Sequence, residues 1–472
     1  MEGNANMKQV KSILNIRKFV LALFANCLIC LVVFWLFLFS FVHASTYYVR
    51  TDGNDDCNGL TDIGGTTDNC AFRTIQKGIQ TALGGDNVIV RMGNYTNETL
   101  ASVRSGSSGN LITIEAATGE TVSIARITID HNYHVIKGFT VSSPVAAGAI
   151  QLNGNYNQAL YNTILGNNRA DSNMSNGFGI IGNYNIISYN TLDGQNNGEN
   201  TSFTVGFDFG GDYNEVTYNL VKDTNSIERV FEMNGNYNRI AYNEVRNVKW
   251  TIGDASHPDI FQVWGTEGGH DWIVENNYFH DFEGQVGNLG IDGNDAGWYN
   301  WVFRNNVFAN IIMEFFIYFP IELYNNTFYR VTTINTCTIF QTAYRNGAVK
   351  LRNNAFIECG CSENNGFYNS GEDADYNFVS NTATGGTKNY FNEPHGINGG
   401  NPQLISYNNN CTVNTCDFNI QSSSVLINKG VAISGISTDY VGTSRPQGLG
   451  WDIGAFEYSG VKIPLPPSLY LK

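Results

Sequence analysis

The chain has 472 residues, a formal net charge of −15 and only 15% charged side chains, against 13% aromatics, 50 Gly and 9 Pro. So many aromatics exclude a disordered chain, and scarce Pro without a three-residue period excludes collagen. An acidic balance with no basic run argues against a nucleic-acid partner, and the length alone suggests about three domains.

Lys8, Lys11, Arg17 and Lys18 precede an uncharged apolar run from Phe19 to Val42, and Val42-His43-Ala44 fits a small-residue cleavage pattern. Residues 1–44 therefore read as a signal peptide, with a retained membrane anchor as the alternative because the run is long enough to span a bilayer. Either way the bulk is expected outside the cytoplasm, secreted or on the cell surface or in the periplasm, with membrane contact only through that segment. Without the leader, 23 basic and 41 acidic residues leave a charge of −18. In an oxidising compartment Cys57–Cys70 and Cys411–Cys416 are plausible local disulfides. Cys337 has Cys359 or Cys361 as partner, which leaves one thiol over. Zinc at Cys359-Gly-Cys361 lacks a second ligand pair at the right spacing.

A short helical period covers only Phe72–Leu83; the rest of the chain is built from a repeat. NYNQALYNTI (155–164), NYNIISYNTL (183–192), DYNEVTYNLV (212–221) and NYNRIAYNEV (236–245) are copies of one motif. Looser copies at 270–279, 299–308, 320–329 and 347–356 follow, and their equivalent Asn residues are 162, 190, 219, 243, 277, 306, 326 and 354. Apolar and polar residues alternate within each copy, which means strand. Strand repeats of 20–34 residues without crossover helices indicate an all-β solenoid, one turn per repeat. The repeated Asn then stacks at one bend, bonding the backbone of the next turn. Phe279, Phe308, Phe328 and Phe356 are expected as stacked core.

Three groups of residues carry a family resemblance. Tyr47-Tyr48-Val49, Asp52-Gly53-Asn54-Asp55 and Phe72 to Gln76, with Val88 to Tyr95, are similar to the amino end of extracellular pectate-lyase-like proteins. Asp452-Ile453-Gly454-Ala455-Phe456-Glu457-Tyr458 resembles the closing motif of many such bacterial surface proteins. The resemblance implies a single-stranded right-handed parallel β-helix with a short N-terminal capping helix. The expected organisation is a cap with first turns at 45–100 and the β-helix at 101–380. C-terminal turns with the closing segment follow at 381–458, then a Pro-rich tail at 459–472. The family hosts lyases, glycoside hydrolases, epimerases and non-catalytic adhesins, so function must be argued from a site. The four-Asp calcium cluster of some pectate lyases is missing, as are the Lys/Arg pair of alginate lyases and the Asp pair of polygalacturonases.

A second strand precedes each NYN motif, and aligning these strands puts Gln151, Gly179, Asp208, Glu232 and Gln262 in one column. The flanking Phe residues must point inward, so this column is expected to point outward as an exposed row. A neighbouring row holds Asp193, Lys222, Arg246 and His280, and the longest repeat interval inserts Trp250, His257 and Asp259 beside it. Long loops on rigid scaffolds concentrate function, so the middle turns are the expected groove. The leading expectation is a lyase on an acidic polysaccharide. Lys222, Arg246 or His257 would be the base, and Asp208, Glu232 and Asp259 would hold Ca2+. Gln262, Trp250, Trp264 and His280 would contact the substrate. The alternatives are a glycoside hydrolase using Asp208 and Glu232 as its carboxylate pair, and a carbohydrate-binding adhesin. A monomer is expected.

Overall fold

The structure is a computed structural model that describes residues 44–66, 68–142, 148–166, 176–195, 203–225, 227–249, 259–263, 268–283, 288–291, 297–316, 319–332, 340–341, 349–359, 373–380, 393–406 and 416–460. Almost all the regular structure from Thr46 onward is parallel strand. The parallel pairings run from each strand to its counterpart one turn later, giving three faces per turn. One turn shows the pattern: Val205–Phe209 on the first face, Glu215–Thr217 on the second, Leu220–Asn225 on the third. The next turn begins with Arg229–Met233, in register beneath Val205–Phe209. This is the solenoid expected from the repeats and the right-handed parallel β-helix that the family resemblance implies.

Alternation places every second side chain inside. Phe178, Phe207, Phe231 and Phe261 stack down the first face, at 5.3–5.5 Å between ring centroids. Phe279, Phe308, Phe328 and Phe356 stack down the third, as the sequence predicts. The amino end is closed by helix Ile75–Thr81, capped by Thr74, whose hydroxyl accepts from Lys77 N. Asp55 anchors that cap by accepting from Arg73 N and Thr74 N. Cys57–Cys70 is a disulfide, Cys416 is disulfide-bonded as well, and Cys359 carries a buried free thiol. Cys337, Cys361 and Cys411 lie outside the described residues. Among the described residues, no helix is long and apolar enough to cross a membrane.

The asparagine ladder is continuous. The Oδ1 of Asn190 accepts from Asn162 N at 2.9 Å, and the same bond recurs turn by turn to Asn377. Each rung satisfies a buried backbone donor and contributes roughly 1 kcal/mol net. A second ladder uses the other repeated Asn of the motif: Asn157, Asn185, Asn214 and Asn238.

The carboxyl end does not continue the turns. After Ile397–Asn398, strands Leu404–Ser406 and Asp417–Ile420 form an antiparallel hairpin. Residues 424–458 then fold back over the outside of the third face. Phe418, Leu426, Ile453, Ala455 and Phe456 pack there against outward-facing Val307, Ala309, Tyr329 and Ile357. A fully buried Arg445–Glu457 ion pair at 2.7 Å ties this segment to itself.

Candidate functional site

The first-face column forms as the sequence predicts. Gln151, Gly179, Asp208, Glu232 and Gln262 are in register on successive strands. Adjacent strands lie about 4.8 Å apart, so Asp208 and Glu232 are next-turn neighbours. The expected open exposure is not found, however. Gln262 is 4% exposed and the Glu232 side chain 15%. The reason is Arg229, which no sequence pattern singles out. Its Nη1 donates to Glu232 Oε2 at 3.0 Å, while its Nε donates to Gln262 Oε1. Arg229 opens its strand, where the chain is still leaving a bend and simple alternation does not fix where a side chain goes. The one signal in the sequence is a positive charge three positions before an outward Glu.

Asp208 accepts from Asn176 Nδ2 at 2.9 Å. Burial, and then the charge of Glu232, push the Asp208 carboxyl up to about 6, despite opposing pulls from Arg229 and Asn176. The two neighbours therefore differ in kind. The Asp208 carboxyl gives up its proton only near pH 6, while Glu232 beside it is paired with Arg229. Asp259, 2% exposed, is in register with Arg229 at the start of the next strand.

The second row also forms, on the third face: Asp193, Lys222, Arg246 and His280 are in register. Lys222 Nζ sits 2.6 Å from Asp193 and 3.1 Å from Asp223. Burial alone would lower its pKa, but these two carboxylates outweigh burial and raise it, which holds the amine protonated. Arg246 Nε is 3.1 Å from Glu244 Oε1. His280 is fully buried rather than facing solvent. Its Nδ1 lies 2.9 Å from Asp281 and its Nε2 3.2 Å from Glu244, and its ring stacks on Tyr278. Burial opposes charge on the ring, yet the two carboxylates prevail and raise its pKa. The folded-back C-terminal segment lies outside this stretch of the third face, through Phe418 over Tyr278. His257, Trp250 and Trp264 lie outside the described residues.

The residues offered as calcium ligands do not gather into a site. Among the described residues, no group of three or more His, Cys, Asp or Glu is placed to hold a metal ion. Glu232 is engaged by Arg229, and Asp208 by the Asn176 amide.

No known family profile matches the chain, and no curated protein matches it. Solved structures do. A crystal structure of the pectate lyase Pel9A superposes with a TM-score of 0.51 at 16% identity, covering 89% of this chain and 97% of that one. The chain has the pectate-lyase-like β-helix fold. The complex of XylC with xylose reaches a TM-score of 0.49 at 12% identity, over 87% and 98% of the two chains. The PL6 family polysaccharide lyase of Pseudopedobacter saltans reaches 0.38 at 17%, over 74% and 95%. Identities this low establish the β-helix and leave chemistry to the side chains.

Proposed function

We propose that this is a secreted or cell-surface protein that cleaves a polysaccharide lying against the Asp208–Glu232 column, by acid–base chemistry between those two side chains. The observation that carries the reading is that these two carboxyl groups lie in register on adjacent strands in unlike surroundings, Asp208 bonded to the Asn176 amide and Glu232 to the Arg229 guanidinium. Two carboxyl groups set apart in this way are what glycosidic cleavage needs, one to give a proton to the leaving oxygen and one to act as carboxylate. In this reading Asp208 is the acid, Glu232 the carboxylate, and Asn176 and Arg229 position them. Trp250 and Trp264 are the proposed sugar contacts, while Gln262 is buried and helps to hold Arg229. A neighbouring-turn spacing near 5 Å suits retention better than inversion.

Elimination from an acidic polysaccharide is the second reading, favoured by the structural likeness to a pectate lyase and by the cationic Lys222–Arg246 row. It needs a base, and a doubly paired Lys222 and an Arg246 beside Glu244 serve better as fixed positive charges; His257 is the remaining candidate. Calcium, which would neutralise a uronate in that reaction, has no step in the hydrolytic reading.

The test is product chemistry. Purified protein incubated with a panel of neutral and acidic polysaccharides should release reducing ends without ultraviolet-absorbing unsaturated products. Asp208→Asn and Glu232→Gln should each lower turnover by at least 100-fold. Unsaturated products would replace hydrolysis by elimination. Turnover untouched in both variants would remove the column from the chemistry.

A further inference from the structure

The tyrosine of each NYN motif, and Tyr133 one turn earlier, stands at the bend between the first and second faces, just past the end of the strand that carries the carboxyl column. Tyr133, Tyr156, Tyr184, Tyr213 and Tyr237 form an unbroken stack there, with centroids 4.6–4.9 Å apart and planes within 4–6° of parallel. From Tyr156 to Tyr237 each residue is 41–44% exposed. Each also holds a left-handed backbone, with φ between 57° and 62°. That conformation suits Asn and Asp and disfavours bulky residues. The lower turns obey this preference, since Asp271 and Asn300 take the left-handed position there. Five consecutive tyrosines in a conformation unfavourable to them, four of them with large rings left in solvent, are not explained by the core.

We infer that this stack is a binding rail for a polysaccharide chain running along the helix axis, and the inference rests on the glycan-directed reading of the site. Three observations select that occupant. The rail adjoins the candidate site: Tyr213 and Tyr237 follow Asp208 and Glu232 by five residues in the same turns. Parallel stacking turns the ring faces toward one another, so what meets solvent is a strip of ring edges and hydroxyls repeating once per turn. Such a strip matches a polymer that is itself a repeat of hydroxyls and C–H faces, and stacking has already restricted the rotamers that binding would otherwise have to order. Finally, the charged residues at this bend are acidic. Asp212 is bonded to Asn236, and Asp271 to His270 and Asn300. That selects a neutral chain over a polyanion. Ile181 and Ile186, 47% and 37% exposed, widen the strip with apolar surface near Tyr184. At its lower end His270 meets Tyr237 edge-on and stacks on Tyr299, which extends the aromatic line by two rings.

The left-handed backbone supplies a clean test. Asn is at home where these tyrosines are strained, so Tyr156→Asn, Tyr184→Asn, Tyr213→Asn and Tyr237→Asn combined should leave the fold intact. Affinity electrophoresis of the purified protein through gels containing xylan, β-glucan or galactan, with polygalacturonate and alginate as polyanion controls, gives the readout. At least one neutral polymer should retard the wild type, and the fourfold variant should lose at least fivefold in affinity with unchanged circular dichroism. Tyr213→Phe with Tyr237→Phe, which keeps the stack and removes two hydroxyls, should lose about half of the retardation. Equal retardation of the wild type and both variants, no retardation of the wild type by any polymer, or retardation by polyanions alone would each overturn the rail. Turnover lost in Asp208→Asn while retardation persists separates the rail from the reaction. Retardation without any turnover would leave the rail standing and remove the proposed catalysis.

Discussion

The upper and lower turns of this β-helix solve the same bend with different residues. Just before each ladder Asn the chain passes through a left-handed position. In the upper turns it is Tyr161, Tyr189, Tyr218 and Tyr242; in the lower turns it is Asn276, Asn305, Asn325 and Asn353, before the last rung returns to a tyrosine, Tyr376. The upper tyrosines stack on one another at 4.8–5.0 Å. The lower asparagines instead donate to backbone carbonyls of the folded-back C-terminal segment. Asn276 reaches Asp439 and Tyr440, Asn305 reaches Thr438, Asn325 reaches Asp452 and Gly454, and Asn353 reaches Val431. The switch from Tyr-Asn to Asn-Asn in the repeat therefore marks where a distant part of the chain docks. One half of the solenoid keeps its outer bend for solvent, and the other half spends it on the chain's own closing segment.

The strongest challenge to this division is Arg445→Met. Arg445 and Glu457 are both fully buried, so removing the guanidinium strands a buried carboxylate and should destabilise by about 3–5 kcal/mol. Hydrogen exchange should show the loss in turns from Asn276 to Asn353, with the Asn162–Asn243 ladder still protected. Equal loss in both halves would mean the two regions fold as one unit and that the division is only local.

Titration sharpens the contrast, because each half holds a group whose raised pKa acts in a different pH window. The Asp208 carboxyl is raised from the ordinary aspartate range to about 6, so its folded form binds protons that the unfolded chain has released. Its contribution is complete only below the ordinary aspartate range and is lost as pH rises through about 6, amounting to about 3 kcal/mol before any allowance for partial solvent access. His280, beneath the closing segment, is also raised. Its contribution is complete below the ordinary histidine range, and it disappears only at higher pH, above that window. Asp208→Asn should therefore flatten the lower window and leave the upper one in place. Chemical denaturation from pH 4 to 9, comparing wild type with Asp208→Asn and His280→Asn, tests this; one shared window would dissolve the distinction. If Asp208 is the acid, turnover should also decline above about pH 6.

Periodicity decides which of these features the amino-acid sequence discloses. The strand alternation, the ladder Asn positions and the Asp208–Glu232–Gln262 register all follow from a repeat whose period constrains every turn alike. What it hides is aperiodic. Arg229 covers the column from a strand start, where alternation lapses. His280 sits in the row assigned to it, but its burial depends on residues more than a hundred positions away. The Asn-Asn dipeptides are plain in the sequence, and nothing nearby along the chain says what they bind. Local pattern reports the rungs, while the docking of the closing segment is a long-range event with no period to read.

Exchanging the two bend residues tests the comparison directly. Asn325→Tyr removes two donors to the closing segment and leaves the carbonyls of Asp452 and Gly454 unsatisfied, which should destabilise by about 1–3 kcal/mol. The reverse change, Tyr189→Asn, should move stability by less than about 0.5 kcal/mol. It loses stacking on Tyr161 and Tyr218, worth about 0.5–1.5 kcal/mol, but relieves a left-handed tyrosine, an effect of similar size. Thermal unfolding of the two single variants gives the asymmetry. If Tyr189→Asn proves as damaging as Asn325→Tyr, the upper stack is as much a structural closure as the lower docking. The bend would then have one function throughout, carried out by aromatic contact in one half and by hydrogen bonds in the other.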